Sequence, residues 1–383
     1  MGGDTFGTHL RLTTFGESHG PEVGCVVQGM PAGVPVSEAV IAPWLARRRP
    51  GQNPLQSQRK EPDVPRIVSG VYQGRALGTP IAVLVGNADA RSKDYAALGD
   101  DFRPGHADWT WHLRYGHRDP RGGGRASARE TVGRVIGGAL AEALLQAMCQ
   151  GHGWPVPRVV AWSQQIADVV AAGPPPELLT GAAMQGYSFD PTALDRATVD
   201  ASPVRCPDAA ASVAMVQAIE AARRDRDSVG GIVRCVASDV PPGLGEPVFD
   251  KLTAAIGHAL LSLPACRGVQ FGSGFAAAGL RGSLHNDAFV AGSDPLRTHT
   301  NHHGGTLGGI STGMPLVVDV AFKPPATIPR EQVVVGPAGA ARALAVTGRH
   351  DPCVVPRAVP IVEAAVLFCL ADALLGARLS RLP

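Results

Sequence analysis

An α+β chain built from two related halves is what three features of this sequence predict. A pattern of strand, helix, two strands, loop and long helix is written twice: Cys25-Val26-Val27 leading to Pro31-Ala32-Gly33 returns, 210 positions later, as Cys235-Val236 leading to Pro241-Pro242-Gly243. Two long apolar segments carry helical periodicity. Glycine and proline, 47 and 33 of 383 residues, suit many turns and backbone-lined loops.

Composition narrows the function classes. Hydrophobic residues are 45% and charged residues 18%, the profile of a globular chain long enough to bury a core without staples. Lys and Arg number 35 against 33 Asp and Glu, so a net charge of +2 offers no global field for nucleic acid or a membrane surface. Aromatics, at 5%, are too few to stack single-stranded bases. The seven cysteines are odd in number and form no CxxC, which argues against a disulfide framework and for a reducing compartment. Residues 1–20 lack an apolar signal core, and Glu363 and Asp372 interrupt the apolar run Ile361–Leu375, which reads as a buried helix. A cytoplasmic protein with no membrane or nucleic-acid partner is expected, as one domain with halves 1–150 and 228–383 and a connector over 151–227.

In order along the chain, His9–Phe15 reads as a strand and Cys25-Val26-Val27 as the next. A helix is expected over Ser37–Arg49, then strands at 70–74 and 79–85. Over Ser127–Met148 the apolar residues Val132, Val135, Ile136, Ala139, Leu140, Ala143, Leu144 and Met148 follow 3, 4, 7 spacing, and Ser127 with Glu130 fits a capping box. Residues 151–226 look irregular, with a loop at Gly173-Pro174-Pro175-Pro176 and a helix over Asp208–Arg223. The second half repeats the order: a strand at Cys235-Val236, a helix over Glu246–Leu263, strands at 309–313 and 314–320, and a helix over Ala358–Leu379, apolar nearly all round.

Several loops carry chemistry. Gly16-Glu17-Ser18-His19-Gly20 fits the serine-hydrolase pattern G-x-S-x-G, but that elbow needs strand, turn and helix. A second strand follows here, so the segment is a turn presenting Ser18 and His19 at a sheet end. A serine hydrolase is the alternative function, and the context opposes it. Arg103-Pro104-Gly105-His106-Ala107-Asp108 leads into a run with three His, but the spacing of His106, His112 and His117 matches no common zinc pattern, and no metal is expected. Gly122-Gly123-Gly124-Arg125-Ala126-Ser127-Ala128-Arg129-Glu130 is a glycine-rich basic loop entering a capped helix. Glycines admit close backbone approach, the helix start offers unpaired N–H groups, and Arg forks take phosphate or carboxylate. It is not a P-loop, and no GxGxxG occurs. Gly348-Arg349-His350-Asp351 matches it in the second half, and Arg47-Arg48-Arg49 adds another basic point. The glycines around Asn301-His302-His303-Gly304-Gly305, with Lys323 beyond, would look the same lining a flat cofactor or forming a close-packed turn. Together the loops describe a small polyanionic substrate handled by general acids and bases.

These segments, with Thr13 to Gly20 and Gly243 to Asp250, resemble the chorismate synthase family from residue 1 to about 379, most weakly over 151–207. The resemblance implies a β-α-β-α-β sandwich, a homotetramer and tightly bound reduced FMN, with NADPH a candidate reductant. The implied reaction is anti-1,4-elimination of phosphate from 5-enolpyruvylshikimate 3-phosphate, giving chorismate without net redox change. By that resemblance His19 acts as acid toward the leaving phosphate, His106 as proton donor to the flavin and Asp351 as part of a proton relay, with Ser18 and Ser127 supporting. Arg48, Arg103, Arg129 and Arg349 match substrate or NADP positions. Arg125, Ala126, Ser127, Ala265, Gly308, Lys323, Thr327 and Arg349 match flavin positions. Two departures stand out: Pro54 where many relatives carry Arg, and Ala126 where Ser is usual.

Overall fold

The repeat in the sequence is a repeat in space. The computed structural model describes residues 3–57, 59, 61–89, 98–181, 187–191, 193–346 and 351–377. The first half runs β1 (Thr5–Phe6), β2 (Arg11–Phe15), β3 (Glu22–Gln28), α1 (Glu38–Arg48), β4 (Pro65–Ser69), a hairpin of β5 (Val71–Tyr72) and β6 (Arg75–Ala76), β7 (Ile81–Gly86), α2 (Asp108–Tyr115) and α3 (Thr131–His152). The second opens with β8 (Arg158–Ile166), β9 (Val169–Val170), α4 (Arg196–Asp200) and α5 (Ala209–Arg224). It continues through β10 (Gly231–Ser238), α6 (Leu252–Leu261), β11 (Cys266–Phe271), α7 (Gly282–His285) and a hairpin of β12 (Thr306–Leu307) and β13 (Ile310–Ser311). It closes with β14 (Leu316–Phe322), a hairpin of β15 (Gln332–Val335) and β16 (Ala341–Leu344), and α8 (Val355–Ala377).

Each half forms a five-stranded antiparallel sheet, ordered β1-β2-β3-β7-β4 in one and β9-β8-β10-β14-β11 in the other. Read in that direction β2-β3-β7-β4 corresponds to β8-β10-β14-β11, while the remaining edge differs, since β1 precedes β2 in the chain and β9 follows β8. The helix after β3 matches the helix after β10, and the helices closing each half, α3 and α8, also match. This corrects the expected boundary: residues 151–227, read as a connector, supply β8, which pairs with β10 along its length. The second half therefore begins at β8, and the insertion lies within it, between the counterparts of β2 and β3.

Helices fill the space between the sheets. α3 packs on β2 and β3, α8 on β8 and β10, and α3 meets α8 in the middle. Gly138 makes that approach possible, since a Cβ there would lie 2.4 Å from the Ala364 Cα. α3 with its preceding turn and α8 are long and apolar enough to cross a membrane by composition, yet 72% and 83% of their most apolar stretches lie inside the fold. The two acids in α8 have structural work. Asp372 accepts the backbone N–H groups of Thr8, His9 and Leu10 at 2.7–2.9 Å, and buried Glu363 pairs with Arg47 and accepts the Ala161 N–H.

Two helix starts differ from expectation. α6 begins at Leu252, because Pro247 and the positive φ of Gly245 (+118°) keep the preceding residues in a turn. The capping box is half made: Ser127 Oγ accepts the Arg129 N–H at 3.3 Å, but Glu130 turns to Thr14 Oγ1 (2.8 Å) and Arg134 (2.9 Å). All seven cysteines are buried and free.

Candidate active site

The loops singled out by the sequence converge on one cleft of about 940 Å³. It is walled by the β2–β3 turn, the end of α1, the segment before α2, the glycine loop before α3, and the ends of β14 and the start of α8 from the second half. Among the described residues, nine Arg or Lys side chains against four carboxylates line it. A local basic cleft thus exists in a chain of near-neutral balance, the condition for holding a polyanion.

His106 is set by a buried carboxylate. Its Nδ1 lies 2.9 Å from Asp108 Oδ1 and 3.1 Å from Arg103 Nη2. That Nη2 already donates to Asp108 (3.0 Å) and to the Gly122 carbonyl (2.5 Å), so Nδ1–H donates to Asp108 and Nε2 carries the lone pair. Arg103 also gives its Nε–H to Asp108 at 2.8 Å, making the pair bidentate, and its Nη1 reaches Thr327 Oγ1 at 3.3 Å. Burial disfavours the Asp108 anion, but hydrogen bonds from His106 and Arg103 outweigh it and hold the carboxyl well below its usual range. Burial lowers the His106 pKa from 6.5, and the charges of Arg103 and Lys323 add to that against the pull of Asp108. Without an anion in the cleft, His106 is a neutral imidazole. Lys323 Nζ donates to the Gly105 carbonyl at 2.9 Å, and burial followed by the charge of Arg267 lowers its own pKa.

Ser18 and His19 sit on the other side of the glycine loop. Ser18 is buried, and its Oγ lies 3.1 Å from His19 Nδ1. The turn joins strand to strand, as the sequence reading held, which removes the setting a nucleophile elbow needs. Gly122, at φ +72°, backs His19: a Cβ there would fall 2.4 Å from the ring. Gly123 lies against His106, where a Cβ would meet the ring at an ordinary contact of 3.4 Å. Both imidazoles therefore pack on one backbone segment, and Gly122 is the position where that approach requires glycine.

The third group is a cluster of guanidiniums. Arg48 is buried, donating to Asp63 (3.3 Å), Thr131 Oγ1 (3.2 Å) and the Ala128 carbonyl (2.8 Å). Arg129, also buried, donates to Asp63 (2.5 Å), Asn87 Oδ1 (2.7 Å) and the Gly86 carbonyl (3.0 Å). Burial, then the charges of Arg357 and Arg129, push the Arg48 pKa down to about 9 against the pull of Asp63. Asp351 accepts the Ser57 N–H at 2.8 Å and pairs with Arg357 at 2.5 Å. Arg125 reaches Thr14 Oγ1 (2.7 Å) and Asp4 (2.8 Å).

Of the residues expected at a site, His19, His106, Asp351, Ser18, Ser127, Arg48, Arg103, Arg129, Arg125, Ala126, Ala265, Lys323 and Thr327 all line this cleft. Gly308 does not: it sits in the exposed turn of the β12–β13 hairpin, outside the cleft lining of its own chain. Arg349 lies outside the described residues. Sequence reasoning missed Asp63, Glu61 and Arg357. For the two acids, the Arg59-Lys60-Glu61-Pro62-Asp63 run, acids following bases near a proline, carried the only signal. Apolar side chains at Leu261, Leu263, Pro264 and Phe368 share the cleft with Arg125, Lys323 and Arg267, a combination able to hold a flat ring and an attached anion.

Residues 10–375 match the family model described as chorismate synthase. The chain is 50% identical over 383 residues to a chorismate synthase of Roseiflexus castenholzii, covering 100% of this chain and 99% of that protein. To that of Chloroflexus aggregans it is 49% identical over 382 residues, covering 100% and 98%. A crystal structure titled as chorismate synthase superposes with a TM-score of 0.71 at 29% identity, covering 97% of this chain and 93% of the other.

Proposed function

The chain belongs to the chorismate synthase family and is a carbon–oxygen lyase, and from that premise we propose how its cleft performs the elimination. The substrate is 5-enolpyruvylshikimate 3-phosphate and the product chorismate. An anti-1,4-elimination breaks the allylic C–O bond to phosphate, removes a proton across the ring and shifts the double bond between them. Electrons balance without an external oxidant.

The observation that carries this reading is the pair of histidines packed against the Gly122–Gly123 backbone, in a cleft rich in guanidiniums. Arg48, Arg103 and Arg129 bind the phosphate and carboxylates, for which their planar forks are suited. His19, oriented by Ser18, holds a proton toward the leaving phosphate. His106 enters as a neutral imidazole fixed by Asp108. An arriving anion offsets the charges of Arg103 and Lys323, raises its proton affinity and lets it hold a proton at Nε2. Asp351, on the opposite wall, completes the relay, with Ser127 at the head of the helix.

FMN fits the residues present. The cleft lies at the upper end of the size range for ligand sites, leaving room for two ligands, and it pairs apolar surface with Arg125 and Lys323. Ala126, Ser127, Ala265 and Thr327 would line that ring with them, and Arg349 is assigned there by the family pattern. Reduced flavin, when bound, lends electron density to the breaking C–O bond and takes it back. NADPH is the candidate reductant, with Arg48 rather than Pro54 on its path. Assembly of copies, as in a homotetramer, is supported by Phe249 and Phe275, 89% and 83% exposed. In such an assembly Gly308 would meet a flavin only in a neighbouring copy's cleft. A cytoplasmic setting is supported by seven buried free thiols.

The test is chorismate formation from 5-enolpyruvylshikimate 3-phosphate under anaerobic conditions. Product with chemically reduced FMN and none with oxidised FMN supports reaction and cofactor together. No product from folded, flavin-loaded protein overturns the reading.

A further inference from the structure

Behind the two arginines at the head of α3 and the end of α1 lies a carboxylate that both share. Asp63 Oδ1 is 2.5 Å from Arg129 Nη1, and its Oδ2 is 3.3 Å from Arg48 Nη1. The side chain of Asp63 is fully buried, so it meets substrate nowhere. Its backbone is held at φ +47°, a conformation uncommon outside glycine and best tolerated by Asn and Asp. The surrounding structure must fix it there, and such backbone outliers cluster at functional sites.

Each guanidinium has five N–H groups. Among the described residues, Arg48 gives one each to Asp63, Thr131 and Ala128, and Arg129 one each to Asp63, Asn87 and Gly86. Both forks are therefore anchored on three sides and keep donors over for the cleft they line. The charges that face Arg48 are Asp63 from the loop before β4, Arg129 from the turn before α3 and Arg357 from α8. Glu61 Oε2, 4.0 Å from Arg129, is itself paired with Arg59 and accepts the Ala88 N–H at 2.9 Å. Asp63 is the acid that touches both forks.

We propose that Asp63 is a positioning residue that presets the spacing of Arg48 and Arg129 as one two-fork clamp for an oxyanion of the substrate. This rests on the reading that those two arginines bind 5-enolpyruvylshikimate 3-phosphate. Two cations placed side by side repel, and the shared carboxylate both screens that repulsion and fixes the distance, so the substrate binds without reorganising the wall. The effect belongs to ground-state binding, and the proton-moving step at His106 is outside it.

Asp63→Asn keeps the size and the tolerance for positive φ while removing the charge. Equilibrium binding of 5-enolpyruvylshikimate 3-phosphate, with oxidised FMN so that turnover is off, is measured for wild type, Asp63→Asn, Arg129→Ala and the double variant. The expected result is a dissociation constant raised about tenfold by Asp63→Asn, as for loss of one preorganising charged hydrogen bond, with kcat at saturation little changed. In the Arg129→Ala background the same substitution should add clearly less, because half its clamp is gone. A folded Asp63→Asn protein that binds like wild type, or full additivity in the double variant, overturns the proposal. Crystal structures of the wild-type protein with and without the substrate decide the matter even if Asp63→Asn does not fold. Forks held in one place in both support preorganisation, and forks that swing in only with substrate refute it. Substrate seated away from both arginines would instead overturn the underlying binding assignment.

Discussion

Gly122→Ala separates backbone strain from displacement of the His19 ring, because the fold supplies its own control. Gly122 and Gly74 both have φ +72°, so an alanine at either site suffers the same left-handed penalty, about 1–2 kcal/mol. At Gly74, in the β5–β6 hairpin, nothing lies within 4 Å of the new methyl. At Gly122 the methyl carbon would stand 2.4 Å from His19 Cε1, 2.5 Å from its Nδ1 and 3.0 Å from Ser18 Oγ. Ordinary carbon contacts begin near 3.5 Å, so the imidazole must retreat by about 1 Å. A misplacement of that size costs on the order of 100-fold in rate. Chorismate formation at saturating substrate and reduced flavin, alongside denaturant midpoints, reads both quantities. Similar stability losses are expected from the two variants, with turnover collapsing only in Gly122→Ala. If Gly122→Ala turned over at the Gly74→Ala rate, the position of His19 would not matter to the chemistry, and its assignment as the acid would fall.

Four further outcomes follow from the same geometry. His106→Ala should lower kcat by roughly 10²–10⁴-fold, the range for losing a general acid or base, while the denaturant midpoint stays near wild type; turnover close to wild type would show the residue misassigned. Asp108→Asn removes the charge, and weakens the hydrogen bond, that raise the His106 pKa, so the imidazole should titrate lower still, followed by its ring NMR signals. The stability sign runs with it. With its native pKa already below 6.5, His106 binds fewer protons folded than unfolded in that window, so it makes stability fall as pH drops below 6.5; a stability–pH slope identical in His106→Ala would contradict this. Arg129→Ala should raise the substrate dissociation constant by about 10- to 100-fold, matching loss of a charge-assisted bond of roughly 1.5–3 kcal/mol, and an unchanged constant would place Arg129 outside the binding site.

What could be read in advance was whatever depends on local spacing. α3 and α8 announced themselves because their apolar residues follow helical periodicity, and the glycine loop and histidine motifs because each is contiguous. β8 stayed hidden for a physical reason. It is covered by α8 on one side and linked to the insertion on the other, so Arg158–Ile166 shows no alternation of apolar and polar residues. Its buried polar members are satisfied inside the fold, Ser163 Oγ by the distant Val204 carbonyl at 2.6 Å and Gln164 Nε2 by the nearby Ala171 carbonyl at 3.0 Å. The carboxylates behind the cleft were illegible for the same kind of reason. Asp63 and Glu61 look like ordinary loop acids until the fold delivers Arg48 and Arg129 to them.

The correspondence of the halves explains why the cleft has two chemically different walls. Equivalent strand ends face it. The segment before β4 supplies Glu61 and the buried Asp63 that anchors the clamp, and the segment before β11 supplies Ala265. The residue after β7 is Asn87, which anchors Arg129, and the residue after β14 is Lys323. The turn before α3 carries Ser127 and Arg129, and the turn before α8 carries Asp351. Beside the cleft the equivalence breaks between the second and third strands of the sheet order. β2 passes to β3 through the tight turn holding Ser18 and His19, whereas its counterpart, β8 to β10, departs into the insertion that carries α4 and α5. Only the first half can therefore bring a histidine turn to the cleft, and the second half is left to form the facing wall with Ala265, Lys323, Thr327 and Asp351. A symmetric framework thus yields an asymmetric site by lengthening one connection. A substrate losing phosphate at one end and a proton at the other needs that inequality, since identical walls would place the same acid at both.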